Sequence, residues 1–187
     1  MKLINDYYEK KEISEFVSTS QAKKIFTFSA INIKEEYGWV EILIETDGIK
    51  FSVKYSSVMT DSSDLFEFLA ELIELKANIA IILDNEGSNP LLYAEKINND
   101  IIRLIFASDY NLYKSFYNGK IDDYDLKDYK IEFDILIDKK YLLKEFYKIL
   151  FPYVQNYKYN ASDKYGYEFN VNKAKKCINK INIFLNK

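Results

Sequence analysis

Hydrophobic and polar residues alternate on both sides of Asp47-Gly48, a dipeptide that suits the positive φ angles of a type I′ turn. With these two residues as the loop, the alternation predicts a hairpin in a single register. That register places apolar residues opposite each other on one face and opposite charges together on the other. The predicted pairs are Ile44 with Phe51, Ile42 with Val53, Val40 with Tyr55, Glu45 with Lys50, and Glu41 with Lys54.

Other apolar runs predict further strands. An alternating run at 24–33, followed by a turn at 35–38, adds a strand before the hairpin and gives a three-stranded meander. Shorter runs separated by turn residues predict a second meander with strands at 78–83, 91–97 and 101–107. The stretch 109–127 has no clean period and is predicted to be a surface loop, whereas alternation returns from Tyr129 and predicts a late strand.

Two segments change to helical period. Residues 61–76 present a broad apolar face, and Asp64 with Glu67 three residues later resembles a capping box at the start of this helix. Asp138 is placed to cap a second amphipathic helix. Pro152 is expected to end it, because proline lacks the N–H that a helix interior requires.

A last helix is predicted over 172–185, with Cys177 and Ile183 among its inward positions and its lysines outward. The chain is therefore predicted to be an α+β protein. A mainly antiparallel sheet, built from two meanders plus a late strand, carries two or three amphipathic helices. Its 187 residues and 48% hydrophobic content fit a single domain over 1–187, in which the conformation of 1–23 stays open.

The composition removes much ordinary catalytic chemistry. The chain has no histidine, a single cysteine (Cys177) and a single arginine (Arg103), so general acid/base pairs, zinc knuckles and redox pairs have few candidates. We therefore expect a protein that is not an enzyme and has no catalytic, cofactor-binding or metal-binding residues. Charge appears early at the N-terminus, and no apolar run approaches the ~20 residues of a membrane span, so we expect a cytoplasmic protein without membrane contact.

Charge is distributed unevenly along the chain. Before Lys139 there are 15 basic and 26 acidic residues, whereas 11 basic and 3 acidic residues follow from there onward. Two acidic groups are the predicted partner-binding residues. The first is the helix stripe Asp64, Glu67, Glu71 and Glu74, and the second is the loop group Asp122, Asp123, Asp125 and Asp128. The loop group lacks the glycine and distal glutamate of a calcium loop. A solvated helix face, internal neutralisation or a homodimer would also account for the charges.

The order of several motifs resembles a known family. The relevant residues are Val53-Lys54-Tyr55-Ser56-Ser57, Glu86-Gly87, Ile101-Ile102-Arg103-Leu104 and the run Asp138 to Phe146. Between Trp39 and Leu150 they are similar to small bacterial immunity proteins of polymorphic toxin systems, of the wall-associated-toxin immunity type. The resemblance implies a cytoplasmic, non-catalytic protein that neutralises a cognate toxin domain, frequently a nuclease. No single site residue transfers.

The leading hypothesis is an immunity protein or inhibitor that binds its toxin through an acidic, tyrosine-containing surface. Nucleic acid is not the expected partner under this hypothesis. The alternative is a single-stranded nucleic-acid-binding or adaptor protein that uses tyrosines and the C-terminal lysines Lys173, Lys175, Lys176 and Lys180. A carboxylate-based or tyrosine-based enzyme is the third reading.

Overall fold

The computed structural model describes residues 25–26, 30–36, 39–46, 49–56, 63–75, 78–83, 90–109, 129–157 and 169–187. The first four strands are β1 (Ile25–Phe26), β2 (Ala30–Glu36), β3 (Trp39–Thr46) and β4 (Ile49–Ser56). The next four are β5 (Ile79–Ile82), β6 (Leu91–Lys96), β7 (Ile101–Asp109) and β8 (Tyr129–Asp138). The helices are α1 (Ser63–Glu71), which continues as a 3₁₀ turn at Leu72–Glu74, α2 (Lys139–Asn156) and α3 (Val171–Leu185). The predicted α+β class is confirmed.

A small antiparallel sheet has the order β2-β3-β4. The register of β3 against β4 confirms every predicted pair, from Val40 opposite Tyr55 to Glu45 opposite Lys50. One face of this sheet is deeply buried: Val40, Ile42 and Ile44 are at most 4% exposed. The sequence specifies this register strongly, because a slip of one residue would move this apolar set from the core to solvent. The turn residues themselves lie outside the described part of the chain.

The main sheet has five strands in the order β1-β8-β7-β6-β5. Its central strands are antiparallel neighbours, as the second meander and the late strand predicted, and only β1 runs parallel to its neighbour β8. The predicted single strand at 24–33 is wrong. Ile25–Phe26 joins the main sheet, whereas Ala30–Glu36 joins the small one. The two predicted meanders therefore lie in separate sheets. Alternation along a run shows which residues share a face, but it does not show which strand they pair with.

The helix ends show where local signals decide and where packing overrides them. Asp138 caps α2 as predicted, because its Oδ1 accepts a hydrogen bond from the Tyr141 N–H at 2.6 Å. Asp64 is not the predicted cap, since it lies inside the first turn of α1. Pro152 also fails to end α2, which continues to Asn156. Pro152 is exposed, and the buried Val154 beyond it holds the last turn on the core.

One hydrophobic core joins these elements. It contains the inner face of the small sheet, one face of the main sheet and the buried faces of all three helices. The α3 helix packs across α1 and α2 through Ala174, Ile178 and Ile181. Ile183 was predicted to point inward but is 51% exposed, because it does not lie on the face of α3 that these three residues pack against the core. Within the described ranges, no helix has both the length and the apolar character that crossing a membrane requires.

Candidate functional site

The predicted acidic stripe of α1 lies directly beside α3. Lys173 bridges two of its carboxylates, with Nζ 2.6 Å from Asp64 Oδ1 and 2.8 Å from Glu67 Oε2. Two helical turns further along α3, Lys180 Nζ lies 3.4 Å from Glu71 Oε1. These five residues are called the charged seam below. Asp64 and Glu71 are seven positions apart, as are Lys173 and Lys180, and positions seven apart return to the same face of a helix.

The first half of the seam is the more strongly coupled. Asp64 and Lys173 are 17% and 25% exposed, so water screens their contact only in part. Burial disfavours the ammonium form of Lys173, but the hydrogen bonds and charges of Asp64 and Glu67 outweigh that effect and raise its pKa. The second half is looser, because Lys180 and Glu71 are 39% and 49% exposed. Most of the seam's stabilisation therefore comes from Lys173.

Cys177 lies on α3 between the two seam lysines and is half-buried. Burial is the main influence that raises the pKa of its thiol, and Glu67 adds to it, whereas Lys173 and Lys180 act in the opposite direction. A thiol with a raised pKa holds less of the thiolate that nucleophilic chemistry needs. The local field thus favours a packing role for this side chain.

The stripe carries more negative charge than its contacts neutralise. Four carboxylates face two lysines, and Glu74 is exposed and has no ion pair within the described part of the chain. Lys139 reaches the same end of the helix, but its Nζ donates a hydrogen bond of 3.2 Å to the backbone carbonyl oxygen of Ile73 and not to a carboxylate of the stripe. Glu71 and Glu74 occupy the C-terminal end of the helical segment, where the helix dipole disfavours negative charge. These two residues are called the acidic end of α1.

The structure thus brings Asp64, Glu67, Glu71 and Glu74 onto one helix face, as predicted, and pairs the first three with α3. Internal neutralisation, one of the alternatives that the sequence left open, therefore applies to these three carboxylates. The partners themselves were not predicted from the sequence, because Lys173 and Lys180 were expected on a separate surface. The common spacing of seven residues was the available signal. The second predicted group, Asp122, Asp123, Asp125 and Asp128, lies outside the described residues.

A second charged cluster holds the single arginine. Arg103 of β7 contacts Asp134 of β8 through two hydrogen bonds, Nε to Oδ1 at 2.8 Å and Nη2 to Oδ2 at 2.9 Å. Glu95 of β6 lies 3.5 Å from Nη1. The hydrogen bonds to Asp134 are the main cause that raises the pKa of Arg103, and burial opposes them. The side chain of Arg103 is 10% exposed, so its guanidinium links three strands and does not present a free fork to a partner.

Among the described residues, the core contains a small void with an apolar lining. A cavity of about 20 Å³ lies where the two sheets meet α1 and α2, and its lining is apolar, including Ile42, Phe68, Leu104 and Phe146. In the described ranges, no group of three or more cysteine, aspartate or glutamate side chains is arranged to hold a metal ion. The charged surfaces are therefore the candidate sites.

Comparisons with known proteins add no relative: no family model matches the chain, and neither the curated proteins nor the solved structures give a match.

Proposed function

We propose that the chain is a non-catalytic protein-binding protein, an inhibitor of the immunity type that neutralises a cognate toxin domain in the cytoplasm. The acidic end of α1 is the contact surface in this proposal. One observation carries it: Glu71 and Glu74 stay exposed where the helix dipole disfavours them, and within the described part of the chain these two carboxylates have one ion-pair partner between them, Lys180 at 3.4 Å from Glu71. Local charge that the fold leaves uncompensated is typical of functional positions.

A basic partner would supply the missing compensation. An exposed acidic group attracts a cationic surface over about 8 Å at physiological ionic strength and raises the rate of encounter. Aromatic side chains are the anchors that stable interfaces use, and half-buried tyrosines of α2 such as Tyr141 are the candidates for that role in the described part of the chain. The resemblance to immunity proteins supplies the class of partner, and a nuclease domain with a basic substrate groove is the type that fits an acidic inhibitor.

The test begins from the neighbouring genes. We expect an adjacent gene to encode a protein with a toxic C-terminal domain, and we expect co-expression of this chain to restore growth to bacteria that produce that domain in their cytoplasm. Purified chain and toxin domain should form a one-to-one complex on gel filtration. Adjacent genes without a toxin domain, or a toxin domain that stays lethal and unbound beside this chain, would contradict the proposal.

A further inference from the structure

Lysines and an aromatic ring share the solvent-exposed face of α2. Lys140, Lys144 and Lys148 follow one another at intervals of four residues, and Phe151 continues the same face. Successive lysines therefore lie about 6 Å apart along the helix axis. All four side chains are exposed, and Phe151 is 40% accessible. These four residues are called the basic-aromatic stripe.

The ring of Phe151 is held from within the protein. It stacks on Tyr147, with ring centroids 5.3 Å apart and planes inclined by 23°. Tyr147 is half-buried and packs against the hydrophobic core. An exposed ring with a fixed neighbour loses little freedom when a further ring stacks on it, because part of its ordering has already occurred on folding. Phe151 is therefore a preorganised stacking surface.

Two of the three lysines of the basic-aromatic stripe are not engaged in ion pairs within the described part of the chain. Glu145 lies 2.5 Å from Lys148 Nζ, but Lys140 and Lys144 have no ion pair within the residues that the structure describes. The seam lysines differ, since Lys173 and Lys180 are already engaged by α1. Basic side chains available for an anionic ligand thus lie on α2 beside the aromatic pair.

We propose that the basic-aromatic stripe binds single-stranded nucleic acid. The lysine ammonium groups contact phosphates, and an unpaired base stacks on Phe151. Duplex recognition fits less well, because arginine is the commonest reader of base edges and the single arginine is buried in the main sheet. A protein partner fits less well because lysine, which dominates this stripe, is depleted in protein–protein interfaces, and a membrane-surface helix presents a wider apolar face than one ring. This activity is additional to toxin binding and uses a different helix.

Fluorescence anisotropy with a labelled oligothymidine of about 20 nucleotides tests the inference, since single-strand sites span ~4–16 nucleotides. We expect binding at low salt that weakens as salt is added. The variant Phe151→Ala should bind about fivefold more weakly or worse, from loss of one stacked base. The double variant Lys140→Gln/Lys144→Gln removes the two lysines without an ion pair and should reduce the slope of log affinity against log salt by roughly 1.4.

The matched control is Lys175→Gln/Lys176→Gln, which removes the same charge from exposed positions of α3. We expect it to keep most of the affinity, and circular dichroism should show all variants folded. Equal losses from both lysine pairs, or unchanged binding by Phe151→Ala, would overturn the assignment by reducing it to general electrostatic attraction. It would also be overturned by no binding to oligothymidine, by equal affinity for a duplex of the same length, or by binding only to phosphatidylserine vesicles.

Discussion

Lys173 is predicted to be the main electrostatic link between α3 and α1. Replacing it with methionine keeps most of the apolar stem but removes the charge that Asp64 and Glu67 share. Both carboxylates would then lie one turn apart on α1 without their common cation, and Asp64 is only 17% exposed. A hydrogen bond to a charged group contributes about 1.5–3 kcal/mol, and like charges at this spacing repel. We expect Lys173→Met to lower the free energy of unfolding by about 2 kcal/mol.

Urea unfolding followed by the fluorescence of Trp39, the single tryptophan, measures this effect. For a chain of 187 residues the corresponding drop in melting temperature is roughly 4–8 °C. The control is Lys176→Met, which removes an exposed lysine of the same helix and should change stability by less than about 0.5 kcal/mol. A double-mutant cycle with Glu67→Gln isolates the pair. Equal losses for Lys173→Met and Lys176→Met, or no coupling in the cycle, would refute the reasoning.

Three further predictions concern buried or capping groups. Arg103→Met should destabilise the fold by about 3 kcal/mol in chemical denaturation, because it leaves the largely buried Asp134 without its cation; a loss below about 1 kcal/mol would contradict this. Asp138→Ala removes the cap of α2 and should lose about 1 kcal/mol, whereas Asp138→Asn should keep most of it, and equal losses would argue against capping. Tyr93→Phe should gain about 1 kcal/mol, since the buried hydroxyl of Tyr93 has no hydrogen-bond partner in the described part of the chain. Burial is the main cause that raises the pKa of Tyr93 above its usual 10.0; Glu95 adds to it and the charge of Arg103 opposes it. The stability that this group contributes should therefore be full below pH 10 and fall above it, and the fall should be less steep in Tyr93→Phe. Identical alkaline stability profiles of the two proteins would count against this.

The sequence predicted best what is decided between near neighbours. The β3–β4 register follows from a two-residue loop and from side chains that face each other across it, so it could be read directly. Asp138 could likewise be identified as a cap, because its partner is the N–H only three residues away. In both cases the deciding contact is local.

Contacts between distant segments escaped prediction. Lys173 and Asp64 are 109 positions apart, and nothing in either helix alone shows that their charged faces meet. The continuation of α2 through Pro152 has the same origin, because burial of Val154 outweighs the local disadvantage of proline. The candidate site was therefore predicted as a row of carboxylates, whereas its division into a paired seam and an acidic end depends on the position of α3.

The proposed function depends on contact between the acidic end of α1 and a basic partner, and association kinetics test this contact most directly. Glu74→Lys and the control Asp100→Lys each reverse one exposed acidic residue, the first at the acidic end and the second in the turn between β6 and β7. In stopped-flow mixing with the proposed toxin partner at low salt, we predict that Glu74→Lys slows association roughly fourfold, with a smaller effect at high salt, and that Asp100→Lys stays near the wild-type rate. Equal rates for the two variants at every salt concentration would contradict the account.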